Sequence, residues 1–232
     1  MVNYLTFIDV SKWQGQTKWR VVKRAGIDFA YIRALKGYEV DPILAGNTKR
    51  CTNVELPHGQ YGWWQPELDP LTQAKLLVEL HYEHGSLLVP MLDVEENKEG
   101  MRPIHVRQRL RKTVDYIISK IGKPPTIYTA SWFWNKSVNS KQFNQCPLVV
   151  AEYRYYSLDA CRANPVPIDP KEWGKFALSG GCKPTPVKGW KAWSGFQFSA
   201  GFNEQGKRLG VESRDLDLNI MKAGQYPRFL CP

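Results

Sequence analysis

Through its first 130 residues the chain alternates short apolar runs of strand character with stretches of helical periodicity, and that alternation restricts the fold more than anything else in the sequence. Residues Tyr4 to Asp9, Asp28 to Ala34, Gly59 to Trp64 and Leu87 to Asp93 read as strands. Between them, Thr17 to Ala25 predicts a short helix, with Thr17 as N-cap and Gly26 as terminator, and a second helix falls around Pro42 to Thr52. Leu71, Ala74, Leu77, Val78 and His81 give a third helix its buried stripe, stopped by Gly85. Pro103 to Ile121 follows, with proline early in the helix, where its missing N–H costs nothing. Strands separated by helices require a largely parallel sheet, open or closed into a barrel. Beyond Pro124 helices thin out: Thr126 to Thr129, Leu148 to Tyr153, Gly195 to Ser199 and Asp215 to Asn219 read as strands, with one short helix near Ser131 to Val138. The Pro- and Gly-rich segment 154–190 lacks a core-sized apolar pattern, so an insertion packed on the barrel is expected there. A chain of 232 residues, 43% hydrophobic, suits one large domain over 1–232.

The fourth strand ends abruptly in Asp93-Val94-Glu95-Glu96-Asn97. Residues two apart on a strand project to the same side, so Asp93 and Glu95 are expected to point together from its C-terminal end. Proximity of like charges and partial burial then raise the pKa of one carboxyl, giving a protonated acid beside an ionised partner, the pairing that glycosidic bond cleavage uses. A solvated acidic loop would show the same residues, and this stretch alone leaves both readings open. Glu96, on the opposite parity, is expected to face away.

A net charge of +10 favours an anionic partner, either nucleic acid or a phosphate- or carboxylate-rich wall polymer. The basic residues are scattered, apart from a concentration at 102–123. There Val106, Leu110, Val114, Ile117, Ile118 and Ile121 make the apolar face and most of the charge is the solvated one. No nucleic-acid module is visible, so no nucleic-acid partner is expected. No apolar stretch reaches the roughly 20 residues that span a bilayer, so membrane insertion is not expected either. The five cysteines, Cys51, Cys146, Cys161, Cys182 and Cys231, include no Cys-x-x-Cys pair. No zinc site is expected, and free thiols are the default, with one Cys161–Cys182 disulfide as the alternative. His81 and His84 are expected to serve a helix C-terminus as polar or dipole-facing groups. Trp13, Trp63, Trp64, Trp132, Trp134, Trp190 and Trp193 fall mostly at or beyond strand ends, where aromatics suit sugar stacking as well as ordinary packing.

Four segments, in order, resemble the glycoside hydrolase family 25 lysozymes, the Chalaropsis-type N-acetylmuramidases that include phage endolysins. Phe7-Ile8-Asp9-Val10-Ser11 with Trp13-Gln14-Gly15 resembles the family's opening Asp-(Ile/Val)-Ser motif, and Asp28 to Ala34 its second strand. Leu92-Asp93-Val94-Glu95 resembles its Asp-x-Glu strand end. Phe196-Gln197-Phe198-Ser199 and Asp217-Leu218-Asn219 resemble its closing Trp-Gln-Tyr-Ser and Asp-x-Asn segments. The implied fold is α/β: a single-domain, irregular TIM-like β/α barrel with helices missing between the last strands, and with its site at the C-terminal strand ends. Strand closure would then gather Asp9, Asp93, Glu95 and Asp217 in one bowl.

The implied activity is hydrolysis of the β-1,4 bond between N-acetylmuramic acid and N-acetylglucosamine in peptidoglycan, with no cofactor and no metal. Glu95 is expected to be the general acid. Asp93 would keep Glu95 protonated and, by resemblance, orient the substrate's 2-acetamido group; Asp9 and Asp217 would supply charge near the anomeric centre or position water. Asp215 shares the parity of Asp217, which is preferred only for its match to Asp-x-Asn. The resemblance further implies Tyr61, Trp63, Tyr128 and Gln197 as sugar contacts, and Arg33 as a charge partner at the barrel mouth. Tyr61-Gly62-Trp63-Trp64 departs from the family's frequent Tyr-His-Phe, and Phe196-Gln197-Phe198 from Trp-Gln-Tyr; these departures spare the carboxylates and fall on the sugar-contact surface. Inverting, covalent and neighbouring-group routes all stand at this stage, because carboxylate separation decides among them. A glycosidase for another acetamido-sugar polymer such as chitin, and a non-catalytic glycan-binding barrel, are the competing readings. A monomer with no separate wall-binding domain is expected. It would act on the cell wall, released from the cytoplasm by a separate route or secreted with later loss of a signal.

Overall fold

The computed structural model describes residues 3–153, 155, 157–201 and 203–232. The apolar runs become strands β1 (Tyr4–Val10), β2 (Phe29–Lys36), β4 (His58–Trp63), β5 (Met91–Asp93), β6 (Thr126–Ala130), β7 (Leu148–Ala151), β8 (Gly195–Ser199) and β9 (Asp217–Lys222). They hydrogen-bond in the order β1-β9-β8-β7-β6-β5-β4-β2, and β1 pairs with β2 to close the ring. A two-residue strand, β3 (Glu39–Val40), hangs off β2 outside it. Every pairing from β1 through β2 to β8 is parallel, while β9 runs antiparallel to both its neighbours, β1 and β8. That reversal decides the site, because the start of β9 and the end of β1 lie at the same mouth.

Helices α1 (Trp19–Arg24), α2 (Leu44–Asn53), α3 (Pro70–Glu83), α4 (Pro103–Ile121) and α5 (Ser131–Ser137) supply the crossovers. In α4 the 3.6-residue periodicity is fulfilled: Val106, Leu110, Val114, Ile117 and Ile121 are buried, and Gly122 ends the helix at φ 80°. Each such side chain contributes about 1.5–3 kcal/mol on burial. The segment 154–190 holds α6 (Leu158–Ala163) and α7 (Trp173–Ala177). Its Val166, Trp173, Ala177 and Val187 join the same hydrophobic core as the barrel's outer face, and Trp173 meets Phe198 of β8 edge-on with centroids 5.9 Å apart.

A second cluster fills the inside of the ring: Phe7, Phe29, Tyr31, Leu88, Met91, Val149, Met221 and Phe229 are all buried. Phe7 and Phe29 stack with centroids 4.5 Å apart. Gly59 has no alternative here, since a Cβ would come within 2.8 Å of both Leu88 and Tyr31.

Several expectations are corrected. Helix α1 begins at Trp19 with Lys18 at its cap, because Thr17 forms an isolated antiparallel bridge to Val211 and Lys18 N–H donates to Gly210 O at 2.7 Å. The fourth strand is shorter than Leu87–Asp93, because Leu87 O, Leu88 and Val89 N–H pair with the C-terminal tail at Phe229, Leu230 and Cys231, and Pro90 has no N–H for a ladder. The last strand starts at Asp217 rather than Asp215. His81 is not a dipole-facing group: it is buried, its Nε2 lies 3.5 Å from Cys231 Sγ, and burial pushes its pKa down to about 4. The cysteines need no correction, since all five are free thiols. No helix of the described residues is long and apolar enough to cross a membrane.

Candidate active site

Strand register sets the site. Asp9 at the end of β1 lies opposite Asp217 at the start of β9, and Gln197 on β8 lies opposite Asn219 on β9. Across the ring, Asp93 closes β5 between Trp63 of β4 and Tyr128 of β6. Glu95 lies just past the strand, held by Val94: its N–H donates to Tyr128 O at 2.9 Å, and its carbonyl accepts from Thr129 Oγ1 at 2.7 Å. The result is a cleft of about 170 Å³ lined by Asp9, Asp93, Glu95 and Asp217 with Tyr61, Trp63, Tyr128, Tyr153 and Gln197. A larger cavity of about 770 Å³ lies between α1, α2 and the 207–212 turn, but Glu212 is its one acid, so carboxylate chemistry belongs to the smaller cleft.

Hydrogen bonding separates the four acids. Asp9 Oδ2 accepts from Gln197 Nε2 at 3.0 Å and Asn219 Nδ2 at 2.9 Å, and Asp9 also hydrogen-bonds the Asp217 carboxyl. Burial raises the Asp9 pKa, and these donors work against the rise. Asp217 has no such support: burial and then the Asp9 charge hold it well above the carboxylate range. Within the pair, therefore, the donors favour charge on Asp9 over charge on Asp217. Gln197 Oε1 accepts from Tyr128 Oη at 2.8 Å and Tyr153 Oη at 2.6 Å, which fixes its amide so that Nε2 must face Asp9.

Glu95 is pushed up to about 7, first by burial, then by the charges of Asp9 and Glu96, against the pull of Lys36. Asp93 lies well above its ordinary range through burial, then the charges of Glu95, Asp9 and Asp217, with Arg33 opposing. Asp93 feels the charge of Glu95 while Glu95 is not raised by Asp93, so Asp93 is the neutral member when Glu95 ionises. The expected modulation of Glu95 by Asp93 thus passes to burial, Asp9 and Glu96. One oxygen of Asp93, Oδ1, is buried without a hydrogen-bond partner among the described residues.

Of the nine residues singled out by sequence, eight line this cleft. Arg33 does not: it is buried on β2 with Nε 2.7 Å from Asp41 Oδ2, and acts on the site only through its charge. Asp215 is also outside, accepting from Glu204 N–H at 3.0 Å. Glu96, expected to face away, does not line this cleft, yet it binds a residue that does. Its Oε2 accepts from Trp63 Nε1 at 3.1 Å, its Oε1 pairs with Lys98 at 2.9 Å, and Lys36 Nζ caps the Trp63 ring at 4.1 Å, so the indole is held from two sides. Tyr153 was missed, although Val149, Ala151 and Tyr153 share one parity that a period-2 reading of the seventh strand contains. Among the tryptophans, Trp64 and Trp134 are core residues, while Trp13 and Trp132 are over 70% exposed. Among the described residues no group of three or more His, Cys, Asp or Glu is arranged to hold a metal ion.

The chain matches the family model "Glycosyl hydrolases family 25" over residues 8–207. It is 30% identical over 153 residues to the Escherichia coli (strain K12) protein YegX, covering 63% of this chain and 55% of that one. It is 27% identical over 233 residues to the protein named Lysozyme M1 of Streptomyces globisporus, covering 91% of this chain and 66% of that one. The chain therefore spans roughly half to two thirds of the length of these curated relatives. The solved structure of a family GH25 lysozyme from Aspergillus fumigatus shares the fold, with a TM-score of 0.73 at 21% identity, over 97% of this chain and 98% of that one.

Proposed function

We propose, from the premise that this chain belongs to the glycosyl hydrolases of family 25, that it is a muramidase of the bacterial cell wall. Its reaction is hydrolysis of the β-1,4 bond between N-acetylmuramic acid and N-acetylglucosamine in peptidoglycan, performed by the barrel as one catalytic unit. The observation that carries the reading is the cleft itself, in which Glu95, its pKa pushed up to about 7 by burial, sits with an Asp9 carboxyl held by Gln197 and Asn219.

Glu95 in its protonated form donates to the glycosidic oxygen as the C1–O bond breaks, the bond's electron pair leaves with that oxygen, and water supplies the new C1–OH and the proton that restores Glu95. The developing positive charge on the sugar is met by Asp9, whose Gln197 and Asn219 donors keep it ionised and fixed. Asp217 retains the proton it shares with Asp9 and keeps that carboxylate from rotating away. Asp93 orients the 2-acetamido group, because an amide N–H would satisfy its partnerless Oδ1. Tyr61 and Trp63 form the sugar-facing wall, and Tyr128 and Tyr153 also line the cleft while holding Gln197.

The test is digestion of purified peptidoglycan, borohydride reduction and identification of the newly reduced sugar. Reduced muramic acid is the expected product. Reduced glucosamine would refute the bond assignment, and cleavage of chitin in preference to peptidoglycan would refute the substrate.

A further inference from the structure

Glu95 lines a second, larger depression as well as the catalytic cleft. This groove, about 580 Å³, runs from Glu95 and Glu96 past Lys98 and Arg102 to Trp132 and Lys136 on α5. Three properties distinguish it from ordinary surface. It shares Glu95 with the catalytic cleft. An indole stands 71% exposed on its wall, although burial of an aromatic is the stabilising outcome. Its cations also exceed the local need for them. Lys98 is used by Glu96, at 2.9 Å, whereas among the described residues Lys136 has no ion-pair partner, and Arg102 Nη2 meets a ring nitrogen, His105 Nε2, at 2.9 Å rather than a carboxylate.

We infer that this groove is a subsite for a sugar carrying a carboxylate-bearing substituent: the ring stacks on Trp132 while Arg102 and Lys136 pair with carboxylates of the peptide stem. The inference rests on the proposed hydrolysis of peptidoglycan only for the identity of the strand. The chemistry follows from the groove itself, where an exposed aromatic face suits a pyranose and two under-used cations suit an anion beside it. The subsite lets the enzyme distinguish a peptide-substituted strand from an uncharged polymer of the same sugars.

Peptidoglycan strands in native form, and the same strands with stem carboxylates converted to neutral amides by carbodiimide coupling, provide the probe. With native strands, the double variant Arg102→Gln/Lys136→Gln is expected to raise KM about five-fold with kcat nearly unchanged, in line with two exposed ion pairs. With amidated strands, wild type and variant should have equal KM. Trp132→Ala should raise KM on both substrates alike. Unchanged KM on native strands, or a gap of the same size on amidated ones, overturns the inference. Strand retention by Glu95→Gln, with and without the two groove substitutions, reads the same difference without catalysis. A wild-type enzyme that cleaves nothing while this retention difference persists would refute the hydrolase reading and leave the subsite standing; active enzyme with no retention difference would do the reverse.

Discussion

Inside this barrel two layers sit two residues apart on the same strands: Phe7 below Asp9, Met91 below Asp93, and Met221 below Asn219. Both layers are buried; Asp9 is 8% exposed and Phe7 fully enclosed. The floor is apolar and aromatic, and each side chain removed from water stabilises the fold. The rim holds carboxyl groups at similar depth, where desolvation penalises the charged form and forces protons to be shared. Equal burial thus stabilises one layer and stores electrostatic strain in the other, and that strain is what keeps Glu95 protonated near neutral pH. The contrast teaches that function here is placed where the pattern of the floor is interrupted, and mutations in each layer should therefore move opposite quantities.

The largest effect belongs to the rim. Glu95→Gln keeps the shape of the acid and removes its proton, so kcat on peptidoglycan should fall by about 10²–10⁴ with the fold intact; turnover within ten-fold of wild type would break the contrast. The wild-type rate should also fall as pH rises through about 7, where Glu95 ionises, and a pH-rate profile flat from 6 to 9 would contradict it.

The matching change in the floor is Phe7→Ala, which removes a fully buried ring stacked on Phe29. Chemical denaturation should show a loss of about 3–5 kcal/mol, with kcat per folded molecule little changed. A loss below about 1 kcal/mol would mean that the floor is not the stabilising layer.

Smaller, and opposite in sign, is the stability effect of Glu95→Gln. The Glu95 pKa is raised in the folded protein from 4.5 to about 7, so its favourable contribution is complete below 4.5 and is lost as pH rises through about 7. Glutamine cannot ionise and escapes that loss. The variant should match wild type at pH 4 and exceed it by on the order of 1–3 kcal/mol at pH 8, as urea titrations at the two pH values would report. Equal stability at both would show that the rim stores no strain at Glu95.

Much of this two-layer plan was legible in the sequence, and the failures have specific causes. Period-2 reasoning placed Asp93 and Glu95 together, and the ordered motifs brought in Asp9 and Asp217. The helix Pro103–Ile121 was legible to the residue, because a long amphipathic pattern bounded by Pro103 and Gly122 leaves no freedom at its ends. Short elements were less legible, because tertiary pairing sets their limits. The C-terminal tail takes Leu88 and Val89 away from β5, and Val211 takes Thr17 away from α1. Arg33 misled for a different reason. Its parity points it into the ring, but Asp41, eight residues on and outside the motif, captures its guanidinium. The tuning of Glu95 by Glu96 was hidden because parity reports direction only, while a charge acts through space regardless of which face it leaves.

That last point gives the smallest and sharpest comparison. Glu96, hydrogen-bonded to the Trp63 indole and paired with Lys98, raises the Glu95 pKa, while Lys36 lowers it from the other side of Trp63. Glu96→Gln keeps an acceptor for Trp63 Nε1 and deletes only the charge. Removing a negative neighbour makes ionisation of Glu95 easier, so the alkaline limb of the pH-rate profile should move to lower pH while the maximal rate stays close to wild type. Lys36→Met should move the same limb to higher pH, because it removes the opposing charge. Coincident limbs in all three proteins would show that burial alone sets the acid, and the rim would then owe its chemistry to depth rather than to the charges gathered around it.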